Sequence, residues 1–258
     1  MDLASVLGVV IAIGSLLLAV VEEGGSIVAL AAATAALIVF GGTIGATMVC
    51  FSMNDIKTVP KLLQIAFTER KSNVFETINI IVSFAEKARR EGLLSLEQEL
   101  TNIDNHFLRQ GVQLVVDGTD PALVKDILET EMAFEDQRHK IGAGIFEQAG
   151  GFAPTMGIIG TVMGLVNVLS NLSNPEELGG AIAVAFIATL YGVASANILW
   201  LPISAKLKLR NKQEALEKAI ILEGILSLQA GENPATVRDK LKAFLAPAAR
   251  EIKGQGEV

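Results

Sequence analysis

Hydroxyl side chains are concentrated in two apolar stretches in the second half of this chain. Thr155 and Thr161 lie in one stretch, and Thr189 and Tyr191 lie in the next. A hydroxyl oxygen can ligate a hard cation or relay a proton, but inside a helix it also bonds readily to the carbonyl four residues earlier. Because the four hydroxyls fall in neighbouring stretches, the pattern favours a shared polar role over four unrelated local bonds.

Ionisable groups are missing from the same stretches. Moving a proton or a cation through hydrocarbon normally requires an ionisable side chain at depth, and the apolar stretches contain no Asp, Glu, Lys, Arg or His. The chain is therefore not a complete ion-driven machine by itself. Either it moves no ions, or a helix from a partner supplies the acid.

The polar part of the sequence shows no catalytic or metal-binding pattern. It has no P-loop, GxSxG or HExxH motif, and its two histidines, His106 and His139, stand beside charged or polar neighbours. The single cysteine, Cys50, excludes a disulfide within the chain. We predict a protein that is not an enzyme and has no cofactor.

Four apolar stretches are long enough to cross a bilayer. The chain has 258 residues, of which 51% are hydrophobic and 19% charged, and its mean hydropathy is +0.48. A soluble domain rarely averages so high, which implies contact with membrane lipid. We name the stretches span 1 (Leu3–Val21), span 2 (Ile27–Met53), span 3 (Phe152–Leu172) and span 4 (Gly180–Leu201).

Charge sets the orientation of these spans. All 21 Lys and Arg residues fall within 54–149 and 205–258, whereas the short connections Glu22–Ser26 and Ser173–Gly179 carry four carboxylates and no cation. The positive-inside rule places both long segments and both termini in the cytoplasm. A net charge of -7 argues against a nucleic-acid partner.

Three spans carry faces of small residues. Gly157, Gly160 and Gly164 lie on one face of span 3. Span 4 has a similar face of small residues, which includes Gly192. Span 2 contains the pair Gly41 and Gly45, four residues apart. Such faces let helices approach closely, either within one chain or between chains.

The 96-residue segment between spans 2 and 3 has helical start signals. Asn73 with Glu76, and Ser95 with Gln98, are spaced as helix caps. Asp120 and Pro121 open a further helix that could run past His139 toward the membrane. The segment predicts a compact helical domain.

The predicted fold is therefore all-α, with four membrane helices and a helical cytoplasmic domain inserted between the second and third. We expect membrane helices at 1–53, a cytoplasmic domain at 54–149, membrane helices at 150–204 and a cytoplasmic helical tail at 205–258. The final Gly-Gln-Gly segment of the tail is polar and is predicted to be disordered.

Several motifs resemble the MotA/PomA family of bacterial flagellar stator subunits. The resemblance runs through nearly the whole chain in the same order. It is carried by MDL at 1–3, GGS at 24–26, GG at 41–42, ARREGLLSLE at 88–97, VDG at 116–118, ExxRH at 135–139, APTMGIIGTVMGL at 153–165, and ATLYG at 188–192 with Asn197 and Pro202.

The resemblance implies a pentamer of this subunit around two copies of a single-span MotB/PomB-type partner. The partner helix would carry the ion-binding aspartate, which would account for the missing acid. Ion flow of H+ or Na+ would then turn the pentamer in the bacterial inner membrane. The cytoplasmic domain would push on the rotor protein FliG.

Individual site residues follow from the same resemblance. Arg89 and Glu97 match the family's charged rotor-contacting pair, with Arg90 as an alternative to Arg89. Pro154 and Pro202 match its two prolines at the membrane boundary, each of which removes a backbone donor and permits a hinge. A favourable helix dipole would also explain the two charges, with Arg89 near a helix end and Glu97 in the first turn of the next helix.

The coupling ion is assigned from the hydroxyls. Thr161, Thr189 and Tyr191 are similar to sodium-type members of the family, and Thr155 joins them in the predicted ion pathway. Ala188 departs from the sodium pattern, because a second Thr is typical there, and Ala32 replaces an aspartate of some sodium-type relatives. The pattern favours Na+ and leaves H+ open.

Two other functions fit part of the sequence. A TolQ/ExbB-like energising subunit would share the last two spans, but such subunits usually have three spans and begin outside the cell. A membrane scaffold without ion flux would need no partner acid. A solute transporter is disfavoured because the halves show no inverted repeat.

Overall fold

The computed structural model describes residues 2–69, 74–170 and 175–247, with the backbone alone for 175–177. The described residues form helices joined by turns and short extended segments, with no strand, so the predicted all-α fold is confirmed. The predicted cap at Asn73 and the polar tail end lie outside the described residues, as do Ser173 and Asn174 of the second short connection.

The chain divides into two compact units. The first unit is Met1–Arg70 with His139–Leu209, and the second unit is Lys71–Arg138 with Arg210–Val258. The helices are α1 Leu3–Glu22, α2 Ala33–Ala36, α3 Gly42–Cys50, α4 Met53–Ile56, α5 Val59–Phe67, α6 Val74–Glu91, α7 His106–Val116, α8 Pro121–Ser170, α9 Pro175–Ser195, α10 Leu201–Gln229 and α11 Pro234–Lys242.

Among the described residues, four helices are long and apolar enough to cross a membrane, in agreement with the four predicted spans. They are Leu3–Glu22, Ile27–Cys50, Pro121–Ser170 and Leu178–Gln229. The prediction that one helix would run from Asp120 past His139 is confirmed by α8, whose N-terminus is capped by the Asp120 carboxylate accepting from the Ala122 N–H at 2.9 Å.

Span 2 is not one regular helix. It opens with a 3-10 turn over Ile27–Leu30, is extended at Ala31 and Ala32, and contains a π turn at Leu37–Gly41 before α3. The apolar run extends to Met53, whereas α3 stops at Cys50 and Phe51 is extended. A new helix, α4, then begins after Ser52, whose hydroxyl accepts from the Asp55 N–H.

Span 1 packs loosely within its own unit. No residue of α1 is buried, and apolar clefts of about 310 and 510 Å³ lie beside it. Its start is held by Asp2, whose backbone N–H donates to the Phe67 carbonyl at 2.8 Å and whose carboxylate pairs with Lys206. Two directional contacts therefore hold the start of α1.

The second unit has a core of its own. Phe107, Leu128, Ile225 and Leu241 are fully or almost fully buried in it, on α7, α8, α10 and α11 respectively. A 3-10 segment at Leu93–Asn102 packs against α6 and α7. The expectation that Ser95 would open an α-helix was wrong. Its hydroxyl instead donates to the Gly92 carbonyl at 2.6 Å, inside the 3-10 segment.

Candidate functional site

A hydroxyl pair joins spans 3 and 4 near the middle of both. Thr161 Oγ1 and Thr189 Oγ1 are 2.5 Å apart, and Thr161 Oγ1 also lies 2.8 Å from the Ala185 carbonyl and 3.2 Å from the Gly157 carbonyl. Each hydroxyl has one hydrogen and two lone pairs. Both hydrogens are used when Thr189 donates to Thr161 and Thr161 donates to Ala185. Both lone pairs of Thr189 Oγ1 then remain available.

Two glycines bring the helices close enough for this pair to form. A Cβ on Gly192 would lie 2.5 Å from the Ala153 carbonyl oxygen, and one on Gly157 would lie 2.8 Å from the Ala188 carbonyl oxygen. The obstacles are backbone atoms, which cannot rotate aside as a side chain can. Close backbone contact at these two positions therefore sets the distance between Thr161 and Thr189.

The small faces of spans 3 and 4 pack on each other within one chain. A Cβ on Gly160 would meet the Cβ of Ala188 at 2.7 Å, and one on Gly164 would meet the Cβ of Ala185 at 2.7 Å. For these glycines the structure decides between packing within the chain and packing between chains. The tight contact at Gly160 also favours a residue as small as alanine at position 188.

The glycine pair of span 2, Gly41 and Gly45, makes no such close contact within the chain. A Cβ on Gly45 would meet nothing within 4 Å, and one on Gly41 would make only an ordinary contact with Leu37. It is Gly42 that faces span 3, where an added Cβ would lie 2.7 Å from the Met156 sulfur. Within the chain it is therefore Gly42, and not the pair four residues apart, that makes the close contact with another helix.

Tyr191 fastens span 4 to the irregular part of span 2. Its hydroxyl donates to the Leu30 carbonyl at 2.5 Å and accepts from the Ala32 N–H at 3.3 Å. Its ring lies 6.2 Å from the ring of Phe40. Where span 2 leaves helical geometry, its backbone groups lose their helical partners, and Tyr191 supplies replacements. The sequence singled out Tyr191 but gave no sign of the break that it serves.

We expect Tyr191→Phe to loosen this contact while the complex still assembles. A net hydrogen bond contributes about 0.5–1.5 kcal/mol, and the Leu30 carbonyl would also lose its partner in an apolar surrounding. The purified complex should therefore unfold at a temperature a few degrees lower. Ser15→Ala is the matched control, because the Ser15 hydroxyl bonds the Ala12 carbonyl of its own helix and, within the part of the chain that the structure describes, no other group. Equal unfolding temperatures for the two variants would contradict the role of Tyr191.

Thr155 does not join the hydroxyl pair. Its side chain is exposed, and its hydroxyl donates to the Phe152 carbonyl of the preceding turn at 2.7 Å. It therefore makes the local helical bond that is usual for hydroxyls in membrane helices. Thr155 remains a predicted member of the ion pathway only through its exposed position.

The two prolines interrupt helices that otherwise continue. Pro154 lies inside α8, next to Ala153, whose carbonyl faces Gly192. Pro202 lies at the start of α10, directly after a π turn at Ala196–Trp200. A proline cannot donate to the carbonyl four residues earlier, and a π turn is a common way for a helix to absorb such an irregularity.

The charges predicted to meet the rotor are exposed. Arg89 and Arg90 lie in the last turn of α6, and Glu97 lies in the 3-10 segment Leu93–Asn102. Among the described residues, none of these three side chains makes an ion pair or a hydrogen bond. Glu97 was expected in the first turn of a helix but lies midway along the segment, so a helix dipole does not explain it.

The spans as folded supply no acid. The described side chains of spans 1 to 4 include no carboxylate, and the Thr161–Thr189 pair offers only hydroxyl and carbonyl oxygens. A sodium ion needs several oxygen ligands together with compensation of its charge, and a proton needs a basic oxygen. Among the described residues, the spans therefore offer this site hydroxyl and carbonyl oxygens but no ionisable group.

Comparison with known proteins supports a single family. Residues 99–220 match the MotA/TolQ/ExbB proton channel family, and residues 6–92 match the motility protein A N-terminal family. The chain is 40% identical to motility protein A of Bacillus subtilis, with 100% of this chain and 96% of that protein aligned. It is 38% identical to the chemotaxis protein PomA of Vibrio alginolyticus, with 98% and 99% aligned.

A solved structure agrees over a similar length. The flagellar MotAB stator complex from Bacillus subtilis contains a chain that superposes on this one with a TM-score of 0.90 at 40% identity. The superposition covers 96% of this chain and 98% of that chain. The likeness therefore includes both compact units and is not limited to the spans.

Proposed function

Starting from the fact that this chain belongs to the motility protein A branch of the MotA/TolQ/ExbB proton channel family, we propose how it works as an ion-channel component. It is the membrane subunit of a flagellar stator and is not an enzyme. It conducts only together with a single-span MotB/PomB-type partner, whose aspartate binds the ion. The match of residues 6–92 to the motility protein A N-terminal family favours this function over a TolQ/ExbB-like one.

The observation that carries the proposal is the hydroxyl pair of Thr161 and Thr189. It lies at mid-span, between two helices packed backbone to backbone, in a unit whose described span side chains include no acid. A pair fixed at this depth can offer oxygen to an ion that a neighbouring carboxylate holds. Both lone pairs of Thr189 Oγ1 are available for this purpose when Thr161 donates to Ala185.

The assembly is a ring in the bacterial inner membrane with both termini in the cytoplasm. Five copies surround two partner helices, and spans 3 and 4 form the inner wall because they carry the hydroxyls. Arg89, Arg90 and Glu97 present exposed charges to the rotor protein FliG, and Pro154 and Pro202 are the hinges. Support for this arrangement comes from the family, the exposure of the three charges, and the positions of the prolines in otherwise continuous helices.

Sodium is the proposed coupling ion, and the test is its effect on swimming. The subunit and its native partner are expressed in a strain without stators, and swimming speed is measured across sodium concentrations at fixed pH. We expect speed to rise with sodium. Thr161→Ala should shift the sodium dependence to higher concentration without loss of assembly, because it removes one oxygen at little cost in volume.

Ser170→Ala is the matched control for this experiment. The Ser170 hydroxyl donates to the Val166 carbonyl of its own helix at 2.9 Å and is outside the predicted ion pathway, so its loss should leave the sodium dependence unchanged. A swimming speed that does not change with sodium concentration but falls with a protonophore would identify a proton stator. Thr161 would then be a packing residue. No swimming with the partner present would contradict the stator function itself.

A further inference from the structure

The charges proposed to face the rotor lie on two different segments of the second unit. Arg89 and Arg90 belong to α6, and Glu97 belongs to the 3-10 segment Leu93–Asn102. The segments meet at Gly92, whose φ of +85° is a left-handed conformation that glycine adopts without strain. The distance between the positive and negative charges therefore depends on how the 3-10 segment is held against α6.

The 3-10 segment needs support from outside its own backbone. It covers ten residues, whereas 3-10 runs beyond three or four residues are uncommon because their hydrogen bonds have poorer geometry. Leu96 and Leu100 anchor one side of it, with exposed fractions of 0% and 9%. These apolar contacts hold one side of the segment on the core.

One directional contact does link the two segments. The Lys87 ammonium donates to Glu99 Oε1 at 2.6 Å, and the other Glu99 oxygen accepts from the Asn102 amide at 3.5 Å. Lys87 stands two residues before Arg89, and Glu99 stands two residues after Glu97. The ion pair thus brackets the exposed charges on both segments.

Lys87 and Glu99 both stay ionised near neutral pH. The hydrogen bond to Glu99 raises the pKa of Lys87, and the same bond lowers the pKa of the Glu99 carboxyl. Both shifts favour the ionised forms, so the contact is lost only when Glu99 is protonated in acid or Lys87 is deprotonated in strong base.

We propose that Lys87 and Glu99 are positioning residues that set the spacing between the arginines of α6 and Glu97, and so the charge pattern shown to the rotor. This inference rests on the proposed function and deepens it. It assigns the Lys87–Glu99 pair no direct contact with the rotor. The pair acts through the 3-10 segment, as a clamp across the turn at Gly92.

A charge swap tests the clamp. Lys87→Glu places three acidic side chains together, at positions 87, 91 and 99, and Glu99→Lys opposes two lysines. Each single reversal should cause a several-fold loss of swimming speed at normal membrane levels. The double variant with both reversals should recover most of that speed, because the attraction across the turn is restored with opposite polarity. Lys87→Arg, which keeps the charge, should swim normally.

The matched control is another Lys–Glu pair of the second unit. Lys125 and Glu129 are 3.8 Å apart along α8, and each side chain is 52% exposed, so Lys125→Glu should leave swimming unchanged. Failure of the double variant to recover would overturn the clamp and favour direct contact with the rotor. Normal swimming of both single reversals would overturn it too. If Arg89→Glu and Glu97→Lys also swim normally, the proposed rotor surface has failed along with it.

Discussion

Gly192→Val should abolish swimming by preventing spans 3 and 4 from packing. The first added atom would lie 2.5 Å from the Ala153 carbonyl oxygen and 3.0 Å from Gly157 Cα. These are backbone atoms of a helix, so relief requires the two helices to separate. Overpacking of this kind typically costs about 1–3 kcal/mol, and separation would also break the contact between Thr161 and Thr189.

The measurement is recovery of the complex with its partner from membranes, together with swimming. Gly14→Val in α1 is the matched control, because a Cβ there meets nothing within 4 Å. Gly164→Ala should have an intermediate effect, since its obstacle at 2.7 Å is the Ala185 methyl group. A Gly192→Val variant that assembles and swims like the parent would show that the helices do not approach so closely.

Reversing the charge of Arg89 or Glu97 should abolish most motility by weakening the contact with the rotor, while the helices stay packed. Both side chains are exposed and make no ion pair or hydrogen bond among the described residues, so Arg89→Glu and Glu97→Lys should fold and assemble normally. Complementary charge across an interface governs encounter and specificity, so a reversed charge should repel the rotor. We expect a loss of swarming of about tenfold or more, with unchanged membrane level.

Charge changes introduced on the rotor side complete this experiment. If the contact is electrostatic, reversing a charged residue of the rotor protein should restore part of the swarming lost by Arg89→Glu. The same rotor variant should not improve the swarming of the unchanged subunit. Glu129→Lys is the control on the subunit, because Glu129 is exposed and its one ion pair among the described residues is with Lys125, one turn away. Full swarming by both reversed variants would remove Arg89 and Glu97 from the rotor surface.

The sequence predicted most of the features that depend on local composition. Four spans, the all-helical fold and the continuous helix after Asp120 all follow from runs of apolar residues, charge distribution and a helix cap. These signals add up along the chain and do not depend on which helix packs against which. The absence of acid from the spans is equally local, and by itself it predicts a partner that supplies a carboxylate if ions are to move.

The interrupted form of span 2 was decided by tertiary contacts. A hydropathy run shows that residues are apolar, but it does not show where an apolar helix will leave regular geometry. The extended residues Ala31 and Ala32 are tolerated because Tyr191, more than 150 positions later, bonds the backbone there. Because Tyr191 lies on another helix, no local sequence pattern in span 2 predicts that its helix is interrupted at Ala31 and Ala32.

Pairing of the small faces was also outside the reach of the sequence. The spacing of Gly157, Gly160 and Gly164 shows a smooth helix face but does not identify what covers it. In the folded unit, residues 185, 188 and 192 of span 4 cover that face within the same chain, and this contact places Thr161 against Thr189. The reason is steric. Backbones that approach so closely that an added Cβ has no room select one partner and one register, and both are properties of two helices together.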